Sequence, residues 1–194
     1  MKFFSLLILL FVFSTCYAQE QETDPATILR TSKGNLKVSR IFKESSVLPV
    51  TNKDAEIYRM SFLPTFYNPV KIRIEKHKNK YFIVAKRLSG QGGYDPGKLK
   101  SQKQRILKRA DWKRLTTLLD SANFWEMPYL KKEAEPNSNG ETTICLDGSE
   151  WVLEGVKNGK LHVVFRYCSD EKEYNAIGYY LVKLSGLKIN WRDL

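Results

Sequence analysis

The chain has 194 residues, 42% of them hydrophobic, with 32 lysines and arginines against 21 aspartates and glutamates and a formal net charge of +11. Two histidines, neither in an HExxH motif, and cysteines without a CxxC spacing speak against a zinc site. The apolar run at the N-terminus is too short for an ordinary membrane span, and no second candidate span follows it.

Lys2 precedes an apolar run over residues 3–13, followed by Ser14-Thr15-Cys16-Tyr17-Ala18. This is the pattern of a secretory signal peptide, residues 1–18, cleaved after Ala18. Lipid anchoring at Cys16 is less favoured, because Phe13-Ser14-Thr15 is a poor approach to a lipid-modified cysteine. Cleavage leaves 176 residues, enough for one sizeable core or two small ones. Residues 19–27 read as a flexible acidic leader and residues 28–194 as one compact domain. Within it, residues 36–42 are expected to be extended, on a mixed periodicity.

Residues 56–63 read as a strand, stopped by Pro64 and the Asn68-Pro69 turn signal. Val70, Ile72 and Ile74 then alternate with Lys71, Arg73 and Glu75, as in a half-buried strand, and residues 81–88 return after a turn at 77–80. The glycine-rich stretch 89–97 has loop composition, and residues 89–103 form the only candidate subdomain boundary. It is no phosphate loop, since no Gly-Lys-Ser/Thr ending launches a helix. Asp111 is positioned to cap a helix whose stripe is Leu115, Leu118, Leu119 and Ala122, with Trp112 near its first turn. Phe124 and Trp125 drop towards the core before Pro128. A second helix, capped by Ser169 or Asp170, carries Ile177, Tyr180, Leu181 and Leu184 and ends at Ser185-Gly186.

Between these helices, residues 142–168 read as three strands joined at Asp147-Gly148 and Asn158-Gly159, dipeptides suited to the positive φ of tight turns. The strands are expected over 142–146, 150–155 and 160–168. A bulged loop at 157–159 is preferred over a strict two-residue turn, because it puts Trp151 opposite Phe165 on an apolar face with Tyr167. It also pairs Glu150 with Arg166 and Glu154 with His162 on the other. A slip of one residue would reverse these faces. Cys145 and Cys168 are the even pair left after cleavage, and an oxidising compartment favours a disulfide between them. The ladder separates them by about 10 Å, so a bridge requires a curled edge or Cys168 beyond the strand.

From residue 71 to 114 there are 15 basic and three acidic residues. Lys98, Lys100, Lys103, Arg105, Lys108 and Arg109 form the densest run and are the candidate anion-binding residues. Export and the lack of stacking aromatics at nucleic-acid spacing leave an anionic envelope component or an acidic protein as the partner, with nucleic acid disfavoured. His162, Glu154 and Arg166 are weak catalytic candidates, as base, carboxylate partner and anion stabiliser. No GxSxG elbow or other nucleophile accompanies them, and no cofactor or metal is implied.

The residues Leu146-Asp147-Gly148-Ser149-Glu150-Trp151-Val152-Leu153-Glu154-Gly155, with Gly159, His162 and Arg166, fit a pattern LDGxxWxLEG…GxYHxxxR, and residues 181–187 fit LxxLSGL. In these the chain resembles a group of bacterial exported proteins with no established activity. The resemblance covers residues 111–187, and implies an envelope or secreted protein without bringing a ligand. Leu161 stands where the pattern favours tyrosine, so no role for that hydroxyl carries over.

The expected fold is α+β: an antiparallel sheet, or two small ones, packed against two principal helices. The expected function is exported, non-enzymatic binding or envelope association through an anionic partner. The alternative is a small hydrolase using His162 and Glu154.

Overall fold

The structure, a computed structural model, describes residues 24–31, 33–50, 54–131, 145 and 147–189. Alternation produces β1 (Glu56–Pro64), β2 (Val70–His77) and β3 (Lys80–Leu88) where the sequence suggested them. Three further strands are β4 (Leu99–Leu107), β5 (Ser149–Lys157) and β6 (Lys160–Tyr167). All six join one antiparallel sheet in the order β4-β3-β2-β1-β5-β6, which resolves the choice between one sheet and two. The helices are α1 (Pro25–Thr31), α2 (Lys33–Phe42), α3 (Arg109–Ser121) and α4 (Lys172–Ser185).

Strand β1 is the hinge of the topology, because it pairs with β2 on one side and with the distant β5 on the other. The place beside β5 that β1 takes was expected for a strand over 142–146. Apart from Cys145, which is in no strand, that segment lies outside the described residues. The signal segment 1–18 lies outside them too.

One face of the sheet carries the main core. Tyr58, Met60 and Phe62 of β1, Ile72 and Ile74 of β2, and Trp151 and Leu153 of β5 pack against Trp112, Leu115 and Leu119 of α3 and Tyr174, Ile177 and Leu181 of α4. Full burial of each such side chain contributes about 1.5–3 kcal/mol. Both stripes were legible, although Asp111 sits in the first turn of α3, where its carboxylate accepts from the Lys108 N–H, and Glu171 precedes α4.

The other face carries α1, α2 and the segment after them, over smaller apolar clusters such as Val38, Phe42 and Leu88. Helix α2 replaces the extended segment expected over residues 36–42. Val38 and Phe42 recur four apart, and burying them beside Ser39 on the sheet selects the helical period. The leader expected to reach residue 27 gives way to helix at Pro25, which suits a first helical turn. The stretch 89–103, expected as loop, contains the start of β4, which pairs with β3 within the same sheet.

The β5–β6 register is the principal correction. Asn158 and Gly159 both have positive φ, 53° and 74°, and form a two-residue turn in place of the expected bulged loop. Trp151 therefore faces Arg166, Val152 faces Phe165 and Glu154 faces Val163. Trp151 and Phe165 lie on opposite sides of the sheet, where the sequence reading had put them together. The physical reason is that both faces are covered. Separating polar from apolar was the wrong criterion for a hairpin in which Glu154 of β5 and Arg166 of β6 are both buried.

Candidate functional site

Glu154 lies against the segment that follows α2, 1% exposed, and is held on both oxygens. Arg59 Nε donates to Oε2 at 2.6 Å, a second guanidinium nitrogen donates to Oε1 at 2.8 Å, and the Leu48 N–H donates to Oε1 at 3.0 Å. Arg59, itself 0% exposed, donates further to the Ser45 carbonyl at 2.8 Å. A forked arginine–carboxylate pair with each guanidinium nitrogen engaged is the arrangement that makes a buried charge tolerable. It leaves Glu154 no approach for a substrate proton.

Around this pair the sheet gathers further cations. Lys86 donates to Glu44 at 2.6 Å and to the Phe42 carbonyl at 2.9 Å, closing the C-terminal end of α2. Lys71, opposite Lys86 in the ladder, donates to Ser39 Oγ at 3.2 Å and lies 5.2 Å from the centre of the Phe42 ring. Burial, followed by the neighbouring Arg59, pushes the Lys71 ammonium down to about 7. The sequence showed Lys71 and Arg73 only as the polar side of an alternating strand. Periodicity does not tell a water-facing cation from one facing a buried carboxylate.

His162 is across the sheet from Glu154. It is paired with Gly155 in the ladder, and its ring packs on Phe124 and Trp125, with centroids 5.0 and 5.9 Å away. Burial lowers its pKa against the opposing backbone carbonyls of Met127 and Phe124. The His162–Glu154 pairing expected from sequence is thus not formed. Arg166 is likewise structural: it is 3% exposed, donates to Glu171 at 2.6 Å and to the carbonyls of Pro128 and Tyr129 at 3.1 Å, and lies over the Tyr174 ring. It ties the segment before β5 to the start of α4.

The six candidate anion-binding residues belong to β4 and its flanks. Lys98, Lys100, Lys103, Arg105, Lys108 and Arg109 are all exposed. Lys103 donates to the Gly186 carbonyl and Arg105 to the Leu184 carbonyl at 2.7 Å, so both cations sit at the negative end of α4. None of the six forms an ion pair with a carboxylate among the described residues. Strand β4 is an edge strand, with β3 its only neighbour in the sheet.

At the end of the sheet where β4 begins, the β1–β2 and β3–β4 loops dock on each other. The Gly92 N–H donates to the Pro64 carbonyl at 3.0 Å and the Gly93 N–H to the Thr65 carbonyl at 3.2 Å. A Cβ on Gly92 would lie 2.6 Å from that Pro64 oxygen, so the glycines serve close backbone approach. Next to them, Cys145 and Cys168 form a disulfide with Cα atoms 6.4 Å apart. Cys168 falls just past β6, and its N–H donates to the Ser149 carbonyl, which is how the bridge escapes the strand spacing.

No protein-family model matches the chain, and no curated protein matches it significantly.

Two open hollows lie on the surface near the two histidines. One of about 450 Å³ is bordered by Asp24, Arg30, Val50, Tyr129 and His162, and one of about 350 Å³ by Arg73, His77, Phe82 and Gln104. Neither set contains a serine or cysteine nucleophile beside a base. Among the described residues no three His, Cys, Asp or Glu side chains gather as a metal-binding group. No helix among them is long and apolar enough to cross a membrane, which leaves strands out of account.

Proposed function

We propose that this chain is an exported, non-enzymatic binding protein that recognises an anionic partner through β4 and its flanks. The observation that carries this reading is the combination of six exposed cations over residues 98–109, with no acidic residue among them, on a strand at the sheet edge. The hydrogen bonds from Lys103 and Arg105 end on neutral carbonyls, so their charges stay available to a partner. Like charges on β4 also oppose edge-to-edge pairing of two copies, a protection that edge strands commonly need. The hydrolase alternative loses its support, since Glu154 is locked to Arg59 and His162 points to the opposite face.

The test is retention on an immobilised polyanion over a salt gradient. Lys98, Lys100 and Arg109 make no side-chain hydrogen bond among the described residues, and reversing them to glutamate leaves the α4 contacts intact. The triple variant should elute at markedly lower salt than the wild type. Equal retention with an unchanged circular dichroism spectrum would end the basic-strand reading.

A further inference from the structure

Four of the large hydrophobic side chains left exposed, Phe66, Tyr67, Tyr94 and Tyr167, belong to the single end of the sheet where β1, β3 and β6 finish and β2, β4 and β5 begin. Phe66 is 45% exposed, Tyr67 49% and Tyr94 66%. Phe66 and Tyr94 come from different loops yet stack, with centroids 6.0 Å apart and planes 29° from parallel. The backbone beneath them is fixed in advance. Besides the Gly92 and Gly93 contacts, the β3–β4 loop is closed by Ser89 to Lys98, Gly90 to Pro96 and Gln91 to Asp95 hydrogen bonds. Asn68 joins the loops by donating to the Gly90 carbonyl at 2.8 Å while accepting from Arg87 at 2.6 Å. Exposed rings on a braced backbone lose little further freedom on binding. Clustered on loops, they mark a recognition surface rather than stray surface hydrophobics.

Their surroundings select among ligands that stack on rings. Lys98 closes the loop that carries Tyr94 and Lys100 follows it, so a cationic ligand is repelled and an anion attracted. Asp95 and Gln91, exposed beside Tyr94, and the hydroxyls of Tyr67 and Tyr94 put polar groups among the rings, which disfavours insertion into a lipid surface. A sugar chain has what this surface asks for: apolar C–H faces for the rings, hydroxyls for the phenols and amides, and, when acidic, carboxylates for the lysines. Resting on the basic-strand reading above, we infer that the Phe66–Tyr67–Tyr94 platform, with Lys98 and Lys100, binds an acidic polysaccharide built of uronic-acid rings.

The test compares oligogalacturonate, an anionic chain of pyranose rings, with polyacrylate of matched charge and no rings, using calorimetry on the purified full chain. The wild type should bind oligogalacturonate about tenfold or more tighter than polyacrylate, the scale expected from one or two stacked rings. A Phe66→Ala/Tyr67→Ala/Tyr94→Ala variant should lose that preference while keeping its polyacrylate affinity. Lys98→Glu/Lys100→Glu should weaken both. If the aromatic variant binds oligogalacturonate like the wild type, or loses both polymers equally, the platform is refuted while the anionic reading stands. If the wild type binds neither polymer, both fall. The rings are exposed, and an unchanged melting temperature separates lost binding from lost folding.

Discussion

Glu154 and His162 stand on opposite faces of one hairpin, because Glu154 faces Val163 across the ladder and His162 faces Gly155. Each is consequently built into a different layer: Glu154 into the ion pair with Arg59 against the segment after α2, and His162 into the aromatic packing around Phe124 and Trp125. Their proximity in sequence suggested shared chemistry. The two-residue turn at Asn158 and Gly159 removes it.

Replacing Glu154 with glutamine should destabilise the fold by about 3–5 kcal/mol, the cost of leaving a buried arginine without its counter-charge. Arg59→Met alone should cost a similar amount. The double change Arg59→Met/Glu154→Leu should recover much of the loss, since no unpaired charge remains. Urea unfolding of the three variants measures this, and a double variant no better than the singles would contradict it.

His162→Leu should leave stability within about 1 kcal/mol of the wild type, because the imidazole acts as a packing surface for Phe124 and Trp125. The change should also flatten the acid limb of the stability curve. Burial lowers the folded-state pKa of His162 below its ordinary 6.5, so the unfolded chain binds the extra proton first as pH falls through 6.5. Stability from this group is present above pH 6.5 and lost below it. A variant with the same acid sensitivity as the wild type would count against the assignment.

Reducing the Cys145–Cys168 bridge should cost about 3 kcal/mol, from the entropy returned to an unfolded loop. The sequence separation that sets this figure is 23 residues. Chemical unfolding with and without reductant tests it. Cys145→Ser/Cys168→Ser should match the reduced protein and respond no further to reductant.

How far the sequence reached depends on what each pattern encodes. The alternation in Val70 to Glu75 and the leucine stripe of α3 located a strand and a helix and picked out their apolar sides, but the alternation did not show that Lys71, on the polar side of β2, is buried as well. Strand β4 was missed because an edge strand with Lys103 and Arg105 on one side and Gln102 and Gln104 on the other has no apolar period. The β1–β5 pairing joins strands some 90 residues apart in sequence, which no local turn announces. Register failed at Trp151 because Arg166 satisfies its charge inside the protein, against Glu171 and two backbone carbonyls, rather than in water. The candidate anion-binding cations were legible as a cluster. The exposed rings at Phe66 and Tyr94 were not, since they meet only when the two loops dock.

Stability should rise with pH above neutrality, and Lys71 should be the cause. Its ordinary pKa of 10.5 falls to about 7 in the folded protein, through burial first and the charge of Arg59 second, with Lys86 adding to the fall and Glu154 and Glu44 opposing it. Between these values the unfolded chain holds a proton that the folded chain has released, so raising the pH favours folding. The penalty is complete below about pH 7 and is relieved progressively towards 10.5. One such proton corresponds to at most about 1.4 kcal/mol per pH unit, or roughly 2 kcal/mol between pH 7.5 and 9.5. Above about pH 10 the buried phenols of Tyr58 and Tyr174, held neutral by desolvation, begin to act in the opposite sense, so measurement belongs below that point. Urea unfolding at pH 7.5, 8.5 and 9.5 should show the rise in the wild type and its loss in Lys71→Met, which keeps the side-chain length and cannot bind a proton. Parallel slopes for the two proteins would mean that Lys71 stays charged beneath α2.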